Sequence, residues 1–166
     1  LAIESPGGTV AGTKELADDV ASLAAVKPVH AFIEDIGASA AYYVASQSLR
    51  ISANQPASVG SIGTMAVLTD SSKAAEKLGY KVHVLATGAL KGAGTPGTEI
   101  TEEQLAYWQE HINAHNELFL AAVQRGRKMS KEQVANVATG QVWLAQQAQT
   151  LGLIDAVETF GSALDA

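Results

Sequence analysis

Val29-His30-Ala31-Phe32-Ile33-Glu34-Asp35-Ile36-Gly37-Ala38-Ser39-Ala40-Ala41-Tyr42-Tyr43-Val44-Ala45-Ser46 runs from β-rich residues into small ones. Val29–Glu34 reads as a strand and Ala38–Ser46 as a short helix rich in small side chains. Between them, Gly37-Ala38-Ser39-Ala40-Ala41 sets a serine at the strand-to-helix turn. The same alternation continues outward on both sides. Leu1–Glu4 reads as the end of a strand, Ser5–Gly8 as a tight turn, and Val10–Ala25 as a helix with Leu16, Val20 and Leu23 on one face. Pro28 closes the connection into the strand. Leu49–Ala53 is a strand, Asn54-Gln55-Pro56 a turn, and Ile62–Leu68 a further apolar strand.

Asp70 caps a helix to Leu78, which Gly79 ends. Lys81–Ala86 reads as a strand, and Gly88–Gly97 as a glycine-rich loop. Thr101-Glu102-Glu103-Gln104 is a capping box that opens a long helix to Arg127. Leu105, Trp108, Ile112, Phe119 and Val123 form its apolar stripe. Ser130-Lys131-Glu132-Gln133 is a second capping box. Gln141–Leu144, a helix to Leu151 and the strand-like Leu153-Ile154 complete the pattern. Strands alternating with helices predict an α/β fold with a mostly parallel sheet flanked by helices. No repeat or linker divides the chain, so residues 1–166 are expected to form a single domain.

The chain has 166 residues, 47% hydrophobic and 17% charged. That is too apolar and too weakly charged for a disordered chain. No stretch approaches the roughly 18 uninterrupted apolar residues of a membrane helix, so no helical span is expected. A net charge of −6 argues against binding nucleic acid through a basic face. The absence of cysteine excludes a thiol nucleophile, a disulfide scaffold and a thiolate metal site. The chain begins without methionine, and a motif follows its first residues directly. We therefore expect a fragment or processed product lacking at least one earlier strand.

Three segments carry candidate chemistry. Ser39, with small neighbours and a helix N-terminus behind it, has the setting of a nucleophile elbow, although Gly-Ala-Ser-Ala-Ala is not the hydrolase consensus. Taken alone, it reads more readily as an ordinary N-cap. Gly7 and Gly8, after a strand, free backbone N–H groups to act as an oxyanion hole together with the N–H of Ala40, or serve as a plain turn. Lys91, within Gly88-Ala89-Leu90-Lys91-Gly92-Ala93-Gly94-Thr95-Pro96, is a candidate base. A lysine serves so when desolvation brings its pKa from about 10.4 to roughly 7–8. The alternative is a solvated loop lysine. A phosphate loop is a poor match, because Gly92 stands where Ser or Thr belongs. His111 and His115 share a helix face, but Ile112 breaks the His-Glu-x-x-His zinc pattern. His30 and His83 read as strand residues, and Glu34-Asp35 as a solvated turn. No metal site or cofactor is expected.

The ordered set of motifs resembles the signal peptide peptidase A family of serine peptidases, in the wider Clp protease/crotonase group of folds. Ser5–Gly8 matches its Ser-Pro-Gly-Gly, and Ala38–Tyr43 its Ala-Ser-Gly-Gly-Tyr-Tyr. Gly60-Ser61-Ile62-Gly63 matches its Gly-Ser-Ile-Gly, and Lys91–Pro96 its lysine loop. Val142-Trp143, Ala148 and Gly152–Asp155 match its tail. The resemblance implies a repeated β-β-α spiral and a Ser–Lys dyad. Ser39 is then the nucleophile, Lys91 the base, Ser61 the residue that orients Lys91, and Gly7 or Gly8 with Ala40 the oxyanion donors. It also implies peptide or protein substrates in extended conformation, and a homo-oligomeric ring or dome with sites near protomer interfaces. Substrates would be signal-peptide remnants or phage scaffold and head proteins. The source would be the ectodomain of a membrane-anchored bacterial peptidase or a cytoplasmic, phage-associated one. The chain departs from the family at Ala40-Ala41, whose added methyls narrow the floor beside Ser39.

Two rivals share the fold. A crotonase-like acyl-CoA enzyme would use the glycine donors but need neither Lys91 nor Ser61. An idle assembly module would not need Ser39 or Lys91.

Overall fold

His30–Ala38 (β2) is the strand on which the rest of the sheet is built. The computed structural model describes residues 1–165. In chain order the other elements are β1 (Ala2–Ser5), α1 (Thr13–Ala24), α2 (Ala40–Ala45), β3 (Arg50–Ala53), β4 (Ser58–Gly60), α3 (Ser72–Lys77) and α4 (Glu102–Arg127). They continue with α5 (Lys131–Val137), β5 (Val142–Leu144), α6 (Ala145–Thr150), β6 (Ala156–Val157) and α7 (Phe160–Leu164). The chain forms two compact units, one of residues 1–64 with 115 onward, the other of residues 65–114.

The first unit is an α/β assembly around one six-stranded sheet, ordered β5-β4-β2-β3-β6 with β1 paired to β2. β2 pairs in parallel with β1, β3 and β4, and β3 with β6. β5 runs antiparallel to β4, so the sheet is mixed rather than wholly parallel. The core joins Ile33, Ile51 and Val59 from strands to Tyr42, Phe119, Val123, Val134 and Ala148 from helices. Tyr43 stacks on Phe119 with ring centroids 4.8 Å apart. The Tyr42 hydroxyl donates to Leu153 O at 2.8 Å, and burial pushes that phenol well above its ordinary value.

Two readings change within this unit. α1 buries Ala17 and Val20, whereas Leu16 and Leu23 are 53% and 45% exposed. The helix packs on α2, and Leu16 lines the open groove beside Ala40, Ala41 and Val44 instead of entering the core. Leu153 and Ile154 are buried but lie outside any strand; the pairing falls three residues later, at Ala156–Val157.

The second unit has no sheet, and the expected strands Ile62–Leu68 and Lys81–Ala86 are absent. Apolar alternation supplies extended preference, but a ladder also needs a facing edge, and these runs pair with no strand among the described residues. The unit holds α3, the first part of α4 and the glycine-rich loop. Ser71 stands at the N-cap of α3. Asp70, expected as the cap, accepts the Ser72 N–H and hydroxyl and the Ile100 N–H, which hold its carboxyl below the ordinary range. Both expected capping boxes are present. Thr101 and Gln104 exchange hydrogen bonds at the start of α4, as do Ser130 and Gln133 at the start of α5.

Candidate active site

Parallel strands deliver their C-terminal ends to one level, where α/β proteins place ligands. Ser5 pairs with Gly37, so two residues further on Gly7 arrives beside Ser39. Ala38 pairs with Gly60, so Ser61 arrives on the other partner strand. The first unit therefore brings Gly7, Ser39, Ala40 and Ser61 together.

Ser39 occupies the single residue between β2 and α2, with φ 53 and ψ −124. An L-residue avoids this conformation, at a cost of about 1–3 kcal/mol, and adopts it where its surroundings impose it. The imposing contacts are visible. Ser39 N–H donates to Gly60 O at 2.8 Å, and Ser39 O accepts the Tyr43 N–H at 2.9 Å. A methyl on Gly7 would lie 2.6 Å from Ser39 Cβ and 3.0 Å from Ala40 N, so only glycine fits against the turn. Ser61 also has positive φ, 50°, and its N–H donates to Gln141 O at 2.8 Å.

The backbone donors divide. Gly7 N–H is directed to Ser5 Oγ at 3.2 Å. The N–H groups of Gly8 and Ala40 meet no acceptor among the described residues. Beside them runs a groove of about 490 Å³, lined by Ile3, Gly8, Leu16, Ala40, Ala41 and Val44 among others. Its floor carries the two alanine methyls anticipated from the sequence.

Lys91 belongs to the second unit. It is exposed, in a succession of turns, and lines a polar cavity of about 470 Å³ with Thr87, Glu99 and Gln104. Of the histidines, His30 opens β2, and His111 stacks on Tyr107 in α4. Glu34 and Asp35 lie inside β2 rather than in a turn.

Sequence reasoning missed two residues of the site. Gly60 accepts the Ser39 amide, and Trp143 packs its indole on Gly60. The Gly-Ser-Ile-Gly motif drew attention to the first only as a neighbour of Ser61. Nothing local signals that Trp143 returns to the same turn.

Comparison with known proteins decides the family, because the model of Peptidase family S49 matches residues 21–166. The chain belongs to peptidase family S49. It is 34% identical over 164 residues to "Putative protease MJ0651" of Methanocaldococcus jannaschii, covering 99% of this chain and 53% of that protein. It is 30% identical over 167 residues to "Putative signal peptide peptidase SppA" of Enterococcus faecium, covering 100% and 48%. It is also 30% identical over 173 residues to "Capsid assembly protease C" of Escherichia phage lambda, covering 100% and 39%. The chain thus spans about half the length of the first of these S49 relatives.

Proposed function

We propose that residues 1–166 form a serine endopeptidase domain, of the Clp/crotonase type, working through a dyad of Ser39 and Lys91. The observation that carries the reading is Ser39 itself, held at positive φ where three parallel strands end, beside two unengaged N–H donors. Lys91, unprotonated, takes the proton of the Ser39 hydroxyl as Oγ bonds to the substrate carbonyl carbon. The negative oxygen that results is held by the N–H groups of Gly8 and Ala40, since Gly7 N–H is engaged by Ser5. Collapse breaks the C–N bond, and Lys91 returns the proton to the leaving amine. Water then releases the acyl group by the same route. Ser61 orients the Lys91 ammonium.

The groove supports extended peptide segments rich in small or apolar residues, with signal-peptide remnants and phage scaffold or head proteins as the candidate sources. The second unit supports a homo-oligomer. None of its residues is buried, and it exposes Met65, Val67 and Leu85 at 86%, 80% and 98%. A unit without a core is completed by association.

Intact-mass detection of fluorophosphonate labelling, with light scattering on the same samples, tests the reading. One adduct is expected on wild type and none on Ser39→Ala. Lys91→Ala should abolish hydrolysis, and Lys91→Arg should not restore it, because a guanidinium stays protonated. Ser61→Ala should retain partial activity. Wild-type turnover by Lys91→Ala would overturn the dyad.

A further inference from the structure

The strained turn at Ser39 depends on a carbonyl that is itself part of an unusual turn. Gly60 and Ser61 have successive positive φ values of 116° and 50°. Gly60 O accepts the Ser39 amide at 2.8 Å, so the direction of that carbonyl fixes the backbone of Ser39. β5 and its approach supply what holds it. Gly60 pairs with Val142, and Val59 with Trp143. Gln141 O accepts the Ser61 amide at 2.8 Å, and Ile62 O accepts the Gly140 amide at 3.1 Å.

Trp143 closes this arrangement. A Cβ built on Gly60 would lie 3.0 Å from its Cδ1 and 3.1 Å from Gln141 O, so the indole and the β5 backbone fill the space a side chain would take. The Trp143 Nε1 is buried without a hydrogen-bond partner among the described residues. The ring therefore acts here by shape, as a plate behind Gly60, and not as a donor.

We infer that Trp143 is a positioning residue for the Ser39 nucleophile, acting through the Gly60 carbonyl. The inference rests on the reading of Ser39 as nucleophile only for its catalytic consequence. The positioning itself has a readout that needs no chemistry. With the indole removed, the Gly60–Ser61 turn loses its backing and the Ser39 amide loses a fixed acceptor. Small displacements of a reacting group cost rate steeply, up to about 10²-fold for 1 Å. Phenylalanine keeps a flat ring against Gly60 and removes no hydrogen bond, so it should substitute.

The test compares Trp143→Ala, Trp143→Phe and Gly60→Ala with Val134→Ala, a buried substitution in α5 outside the site. All are measured at temperatures where each remains folded. Hydrogen exchange followed by mass spectrometry should speed up in the peptides covering Ser39 and Ser61 for Trp143→Ala and Gly60→Ala, but not for Val134→Ala. Fluorophosphonate labelling of Ser39 should fall about tenfold or more in the same two variants and stay within about twofold of wild type in Trp143→Phe. If exchange and labelling in Trp143→Ala match those of Val134→Ala, the inference is overturned. Should Trp143→Ala not fold, Gly60→Ala decides, and wild-type rates there overturn it equally. If wild type itself takes no label, the peptidase reading fails, and the exchange data alone then uphold or overturn the positioning role.

Discussion

Asp155 shows how a single residue ties distant parts of the first unit together. Its carboxylate accepts from Arg127 Nη2 at 2.7 Å, Arg127 Nη1 at 3.1 Å and the Ile51 N–H at 2.7 Å. Burial pushes this carboxyl up, but the hydrogen bonds from Arg127 and Ile51, with the charges of Arg127 and Arg50, outweigh it and hold it below the ordinary aspartate range. A carboxyl more acidic folded than unfolded stabilises the protein above its unfolded value, and that contribution is lost as pH falls through the folded one. Asp155→Asn should therefore cost about 1–2 kcal/mol at neutral pH, held low because the carboxylate is partly open to water. The gap to wild type should close below about pH 4. Urea titrations across pH measure it, and a gap that stays constant would refute the assignment.

Among the elements, the contact between α2 and α4 is the most constrained. A methyl on Gly126 would come 1.9 Å from Ser46 O at the end of α2. Gln47 bridges the same junction, donating to Ala122 O at 3.0 Å and accepting from Arg125 Nη2 at 2.9 Å. Helix propensity alone would make Gly126→Ala stabilising by about 1 kcal/mol. The overlap should reverse that sign and cost about 1–3 kcal/mol or more, by chemical denaturation. A stabilised variant would mean that α4 moves away from α2 freely. Elements were legible in the sequence where their causes are local. The capping boxes at Thr101 and Ser130 announce α4 and α5 from four residues each, and the change in residue type around Ser39 marks the junction of β2 and α2. Legibility fails where the cause is a partner distant in sequence. Ile62–Leu68 has the residues of a strand but no edge to join. Ser58–Gly60, only three residues long, is a strand because β2 and β5 flank it. The face that α1 buries was misjudged because Leu16 lines an open groove with α2 residues that lie far along the chain. At the site, Ser39 and Gly7 were visible as residue types in a telling order, whereas the backing of Gly60 by Trp143 joins positions far apart and leaves no local trace.

For the molecule as a whole, the two units differ in what holds them. The first has a sheet and a continuous core; the second has helices and turns but no sheet and no buried residue. Stability is distributed unevenly in such chains, and segments with few buried contacts open first. Residues 65–114 should then exchange amide hydrogens and yield to added protease under conditions where the first unit remains closed. Cleavage sites mapped by mass spectrometry should cluster there, and cuts spread evenly through β2 and α5 would contradict it.

The placement of the two tryptophans gives this contrast its own pair of dyes. The chain has only Trp108 and Trp143, one in each unit. Trp108→Phe leaves an emitter in the sheet, and Trp143→Phe leaves one in α4 of the second unit. Each variant would glow from a single address. Emission spectra recorded through one denaturant series would then trace two separate curves, with the Trp108 signal shifting to the red at the lower concentration. Superimposed curves would instead reveal that the two addresses lose their structure in a single event.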